Sequence, residues 1–224
     1  MDRLNILFCS YRDWATDAVN RVYGESFSID YRYQISNPHE LENTCKTFRP
    51  DLIFFVGWSW RVPDHIIDSY RCLCIHPSEL PKYRGGSPIQ NQIIDSVTDS
   101  AVTLFVMDHG IDTGDIVLQK RLNLNGDLVD ILERISYISS EMIQNCISYY
   151  RTNKKLKATP QNHNDATYCK RRTPDDSEIS INDLNSMTAI ELYNKIRCLQ
   201  DPYPNAYIKL GNGEKLYIVK SKLD

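Results

Sequence analysis

Leu52-Ile53-Phe54-Phe55-Val56 and Cys72-Leu73-Cys74-Ile75 are continuous apolar runs with no polar residue to turn toward water, and they decide the fold. Strands of that kind are covered on both faces, as in a parallel sheet. Upstream, Leu4 to Cys9 is a third such run, and Ala15 to Val22 after it has helical spacing. Phe27 to Tyr33 alternates like a strand, and Glu40 to Phe48 reads as a helix. Downstream, Pro63 is placed in the first turn of a short helix, and Pro88 to Ile94 forms another after Gly85-Gly86. Ala101 to Met107 and Ile116 to Leu122 then supply a late, hairpin-like pair. Strands alternating with helices predict an α/β chain: a doubly wound, Rossmann-like, mostly parallel sheet.

From Leu128 to Tyr150 apolar residues recur on one helical stripe, as for a helix packed on the sheet. Thr152 to Asn164 is polar and basic, as a surface connection would be. A boundary is therefore expected near Arg151, dividing the chain into 1–150 and 151–224. The second part comprises a linker and a small C-terminal appendage: a helix at Ala189 to Leu199, then a β-hairpin. Its strands, Ala206 to Leu210 and Lys215 to Val219, are joined through Gly211-Asn212-Gly213.

The 224 residues are 42% hydrophobic, enough for a sizeable core. A net charge of −3 and a pI near 6.0 leave no electrostatic footprint for nucleic acid. The apolar runs are too short to span a bilayer, so no membrane is expected. Seven cysteines without disulfide-scaffold spacing read as reduced thiols in a cytoplasmic protein. His39, His65, His109 and His163 lack metal-ligand spacing, so no metal is expected. The first strand is followed by Cys9-Ser10-Tyr11-Arg12 rather than a glycine fingerprint, which argues against a dinucleotide. No Gly-x-x-x-x-Gly-Lys-Ser/Thr loop is present, so ATP hydrolysis is not indicated.

The chemistry is concentrated between Cys72 and Asp115. Cys74-Ile75-His76-Pro77-Ser78-Glu79-Leu80-Pro81 runs into Arg84-Gly85-Gly86-Ser87-Pro88, and the next strand ends in Met107-Asp108-His109-Gly110-Ile111-Asp112-Thr113-Gly114-Asp115. A histidine and an aspartate, each just past a strand, lie where a doubly wound sheet binds ligands and where an acid/base pair could assemble. Asp-Thr-Gly is also a common turn whose carboxylate caps backbone amides. The α/β pattern argues against an aspartyl-protease reading, which needs a second carboxylate loop in an all-β setting.

These motifs resemble the formyltransferase family that uses 10-formyltetrahydrofolate. Arg171-Arg172-Thr173-Pro174-Asp175-Asp176 and Ile196-Arg197-Cys198-Leu199-Gln200-Asp201-Pro202-Tyr203-Pro204-Asn205-Ala206 are similar to the tail of its amino-sugar branch. That resemblance implies formyl transfer to the amine of a UDP-, dTDP- or GDP-linked amino-deoxy sugar in surface-polysaccharide or O-antigen synthesis. It also implies a homodimer through the tail hairpin. Methionyl-tRNA formyltransferases resemble the first domain but carry a further barrel for tRNA; this chain ends soon after Asn212-Gly213, so tRNA is not the expected substrate.

By the same resemblance His76 is the central catalytic histidine and Asp112 orients it and relays protons. The family usually has asparagine where this chain has Cys74, and a thiol cannot imitate an amide donor. Asn91 or Gln92 is the expected replacement; an inert buried thiol is the simplest reading of Cys74 itself. Gly57, Trp58, Met107, Gly110 and Gly114 are assigned to the folate, with Gly110 and Gly114 at positive φ. Lys82, Tyr83, Arg84 and Gly85 are assigned to the sugar nucleotide, Arg84 as a fork for phosphate oxygens. A hydrolase releasing formate, and a weakened binding homologue disabled at Cys74, are the alternatives.

Overall fold

A computed structural model describes residues 3–22 and 31–223. Six strands form the main sheet: β1 (Asn5–Cys9), β2 (Tyr31–Ile35), β3 (Leu52–Val56), β4 (Cys72–His76), β6 (Asp99–Val106) and β7 (Ile116–Asn123), with β5 (Arg84–Gly85) lying outside it. Their spatial order is β2-β1-β3-β4-β6-β7. β1 to β4 are mutually parallel, while β6 is antiparallel to β4 and β7 to β6. The doubly wound, mostly parallel sheet expected from the apolar runs is what the chain forms. Of the alternating run Phe27 to Tyr33, residues 27–30 lie outside the described residues; its remainder opens β2.

The alternation of side chains explains why the runs are continuous. Leu52, Phe54 and Val56 enter one hydrophobic cluster with Ile6 and Phe8, whereas Ile53 and Phe55 enter a second with Leu7 and Cys9. Successive residues point to opposite faces, and both faces are covered. The first face carries α1 (Asp13–Val22) and the long α5 (Leu128–Asn153), which pack on each other. The second carries α2 (Leu41–Phe48) and α3 (Asp64–Ser69). Phe8 and Phe54 stack with centroids 5.6 Å apart; truncating Phe54 to alanine would cost about 3–5 kcal/mol.

Pro63 precedes α3 as its N-cap rather than sitting inside its first turn. α4 (Pro88–Ile94) follows the Gly-Gly loop as expected. α5 ends at Asn153, with Lys154 left-handed at its C-cap. Beyond it come β8 (Tyr168–Cys169), α6 (Ile181–Ser186), α7 (Ala189–Arg197) and the hairpin β9 (Ala206–Lys209) with β10 (Lys215–Ile218). Part of the polar stretch after α5 is not a surface connection. Thr159 exchanges two backbone hydrogen bonds with Ile116, and β8 pairs with β5. No described helix is long and apolar enough to cross a membrane.

Candidate active site

β1 leads to β2 on one side and β3 leads to β4 on the other, so the sheet's switch point lies at the carboxyl ends of β1 and β3. Arg12, Gly57 and Trp58 project there, and His76 closes the neighbouring β4. They line a cavity of about 330 Å³ together with Cys74, Gly85, Gln90 and Asp112. A second cavity of about 520 Å³ adjoins it, sharing Trp58, Gly85 and Asp112 and adding Met107 and Gly110.

Asp112 reaches His76 by a route the sequence conceals. β6 is antiparallel, with Leu73 opposite Val106 and His76 opposite Thr103, so its carboxyl end lies at the opposite edge of the sheet from His76. The expectation that both residues follow strand ends on one edge is thus corrected. Residues 107–115 fold back over the sheet face that carries Met107 and Cys74. The return is pinned at several points. Gln161 Nε2 donates to the carbonyls of Asp112 at 3.0 Å and Gly114 at 2.7 Å, and Asp108 Oδ1 accepts from Gly110 N and Thr113 Oγ1. Asp112 itself is left-handed, φ 54°, a conformation that aspartate tolerates better than most residues.

Its carboxylate then does two things. Oδ2 accepts from Gly85 N at 2.7 Å and lies 3.5 Å from His76 Nδ1. On the other side of the ring, His76 Nε2 is 2.8 Å from the carbonyl of Tyr83. A carbonyl can only accept, so Nε2 carries hydrogen and Nδ1 is the nitrogen that can take up or release a proton beside Asp112. His76 is 6% exposed, which protects that exchange from bulk water. The loop from His76 to Arg84 is held from beneath: Thr103 Oγ1 donates to Ser78 O, and Gln119 Nε2 donates to Leu80 O and Thr103 Oγ1.

Several assigned residues sit elsewhere than expected. Gly110 and Gly114 are not at positive φ; the left-handed residue of that loop is Asp112. Gly114 is a close-approach glycine, since a Cβ there would lie 1.8 Å from Val106 O, and it lines neither cavity. Gly57 is at φ 61° against Ala15 and Trp14. Arg84 is 1% exposed and turned inward, donating to Gln161 Oε1, Tyr168 Oη and His163 Nδ1, so it presents no fork to a ligand. Lys82 and Tyr83 face a separate hollow with Asp95 and Lys170. Only Gly85 of that group lines the His76 cavity.

Asn91 and Gln92 do not reach the place of the missing amide. Asn91 Nδ2 donates to the carbonyls of Gly86, Ser87 and Lys170. Gln92 Nε2 donates to Pro77 O and Pro88 O while its Oε1 accepts from Ser100. Cys74 does line the cavity, and burial, with the Asp112 charge beside it, pushes its thiol well above the ordinary range, so it is no thiolate nucleophile.

The walls include residues given no site role from sequence. Arg12, Arg171 and Arg172 line the cavity, and no carboxylate lies within ion-pair distance of them among the described residues. Trp14 Nε1, Trp58 Nε1, Gln90 Nε2 and Arg172 Nε, all lining it, are buried without a hydrogen-bond partner. Side chains that keep an unpaired N–H around one hollow suit an acceptor-rich ligand. Tyr11 and Trp60 extend the Trp58 wall into an aromatic cluster, with Trp58 and Trp60 centroids 4.8 Å apart. Among the described residues no group of His, Cys, Asp or Glu could hold a metal.

Residues 15–137 match the family described as formyl transferase. The chain is 32% identical to a methionyl-tRNA formyltransferase of Syntrophomonas wolfei over 84% of its own length and 59% of that protein. It spans about three fifths of the length of such curated relatives. A solved methionyl-tRNA formyltransferase structure from Clostridium thermocellum superposes with a TM-score of 0.80 at 30% identity, covering 97% of this chain and 98% of that one. A 4-N formyltransferase structure from Francisella tularensis superposes with a TM-score of 0.77 at 20% identity, over 100% and 99% of the two chains.

Proposed function

The chain belongs to the formyl transferase family, which uses 10-formyltetrahydrofolate, and from that premise we propose that it transfers a formyl group to the amine of a nucleotide-linked amino sugar. The observation that carries this reading is the position of the His76 Nδ1–Asp112 pair, 3.5 Å apart, where two cavities meet, one of them lined by Arg12, Arg171 and Arg172. In this reading residues 1–150 carry the acid/base pair and 151–224 help to close the acceptor cavity.

The donor supplies the formyl group, whose oxygen gains negative charge as the amine adds to its carbon. Trp58, Met107 and Gly110 line the cavity assigned to it, where the indole offers a face to a ring system. His76 Nδ1 takes the proton that the amine loses and returns one to the departing amine. Asp112 fixes the ring and faces the charge that Nδ1 acquires, while Tyr83 O fixes the tautomer. The three arginines offer charged forks to the acceptor's phosphates.

A second reading has its own support. Methionyl-tRNA carries an equivalent amine, and the 32% identity to a methionyl-tRNA formyltransferase favours it. Against it stand the net charge of −3 and the absence of an extended basic run in the sequence.

Mass spectrometry decides between them. The protein is incubated with 10-formyltetrahydrofolate and, separately, UDP-, dTDP- and GDP-linked amino sugars and initiator methionyl-tRNA. A formyl mass gain on a nucleotide sugar supports the proposal. Gain on the methionyl-tRNA alone, or formate without any formylated acceptor, overturns it.

A further inference from the structure

We infer that Gln90 donates its side-chain amide N–H to the formyl oxygen, the hydrogen bond that Cys74 cannot supply. The inference rests on the proposed formyl transfer and names a residue for it. Charge developing on that oxygen is stabilised best by a donor already aimed and desolvated, and each such donor is worth about 10²–10³ in rate.

The donors around the cavity reduce to few. His76 Nε2 is committed to Tyr83 O, and its Nδ1 faces Asp112. The Cys74 thiol is a weak donor whose sulfur lies 3.7 Å from the carbonyl of Ile75. Asn91 and Gln92 spend their amide hydrogens on backbone carbonyls. Gln90 differs from both neighbours: it lines the cavity, is 3% exposed, and its Nε2 makes no hydrogen bond. A buried amide N–H without a partner is unfavourable, and an acceptor oxygen bound beside it would relieve that.

Gln90 is also held where such a donor must be. It lies in the first turn of α4, whose start is stapled by Asn91 Nδ2 on Gly86 O and Ser87 O. The same segment begins at Gly85, whose N–H is bonded to Asp112. The amide and the acid/base pair therefore ride on one short, braced stretch of chain. The other unpaired N–H groups sit on side chains engaged elsewhere: Trp14 packs on Gly57, Trp58 on Phe55 and Trp60, and the Arg172 guanidinium donates to Asp176 O. Gln90 is the side-chain amide lining this cavity, the chemical equivalent of the asparagine that the motif lacks.

The test reads the donor's carbonyl directly. The protein is saturated with 10-formyltetrahydrofolate carrying carbon-13 in the formyl group, and the isotope-edited infrared band of the bound carbonyl is recorded. Gln90→Met keeps length and apolar stem but has no N–H. We expect its band at higher frequency than the parent's, and kcat lower by about 10²–10³ with little change in donor KM. Adding Cys74→Asn to Gln90→Met should return the band toward the parent position. An unmoved band in Gln90→Met overturns the inference. Should that variant not fold, the Gln90 side-chain amide proton resonances of the parent are followed by NMR during donor titration; unmoved resonances at saturation overturn it equally. A parent that binds no donor overturns both this inference and the proposed function, whereas a shifted band without product on any nucleotide sugar overturns only the sugar assignment.

Discussion

Gly85 N–H donates to Asp112 Oδ2 at 2.7 Å, so one carboxylate oxygen both clamps the glycine loop and faces His76. Asp112→Asn keeps a backbone acceptor and a residue type that tolerates φ 54°, but loses the charge. We expect formyl transfer to fall by roughly 10²–10⁴, as for His76→Ala, with little change in thermal melting. Asp112→Ala should also melt lower, because the Gly85 N–H loses its acceptor. Parental rates in His76→Ala would refute the acid/base assignment.

Arg12 is the cavity arginine free of carboxylates whose guanidinium lies over the rings of Tyr11 and Tyr203, each centroid 5.0 Å away. Steady-state kinetics of Arg12→Ala should show acceptor KM raised about 10–100-fold, the loss expected for a hydrogen bond to a charged group. Added salt should raise the parent's KM in the same direction. An unchanged KM would remove Arg12 from acceptor binding.

Arg84 holds the loop from within. Arg84→Ala should lower stability by roughly 2–4 kcal/mol in urea unfolding, through lost packing and an unpaired Gln161. Arg84→Lys should not restore it, since an ammonium cannot reproduce the fork to Gln161 and Tyr168. A midpoint unchanged in Arg84→Ala would mean that the buried guanidinium adds nothing.

Burial raises all seven thiols, Cys45 and Cys169 to about 11 and Cys72, Cys146 and Cys198 to about 12. Raised values mean less thiolate than a free cysteine has near neutrality. A disulfide-exchange colour reagent at about pH 8 should therefore react slowly with the folded protein and with all seven thiols after denaturation. Fast stoichiometric reaction of the native chain would contradict this.

Three capping boxes follow one another in the tail: Thr173 with Asp176, Ser180 with Asp183, and Thr188 with Glu191. Each carboxylate is held below its ordinary range, foremost by the backbone N–H of its cap residue. A depressed folded value gives stability that is present above the unfolded value, about 4, and is lost as pH falls through the folded one. Urea midpoints compared at about pH 6 and about pH 3 should therefore drop less in Asp183→Asn than in the parent. An equal drop would show that the box contributes nothing to acid sensitivity.

The sheet was legible because buried strands have no choice but to be apolar throughout, as Leu52 to Val56 is. His76 and Asp112 were legible from their motifs, whereas the path joining them was not, since an antiparallel β6 leaves no mark in its own residues. Arg84 reads in the sequence as a fork for phosphate oxygens, and only its inward turn shows otherwise. Gln161, in a polar stretch beside Pro160, carried no signal at all. Gln90 differs from Asn91 and Gln92 only in direction, which helical phase sets and composition does not.

Gln161 stands 77 positions beyond Arg84 and 49 beyond Asp112, yet it bonds both. β8 and Thr167 reach the same loop from 84 positions along the chain. Closing so long a separation is entropically slow, and contacts of this kind tend to form late in folding. A nascent chain that has emerged only through α5 would hold every strand of the main sheet while the clasp on its reactive loops was still unmade. Competence would then trail compactness, and its arrival would be timed by a stretch lying past the residues 15–137 through which the family is recognised.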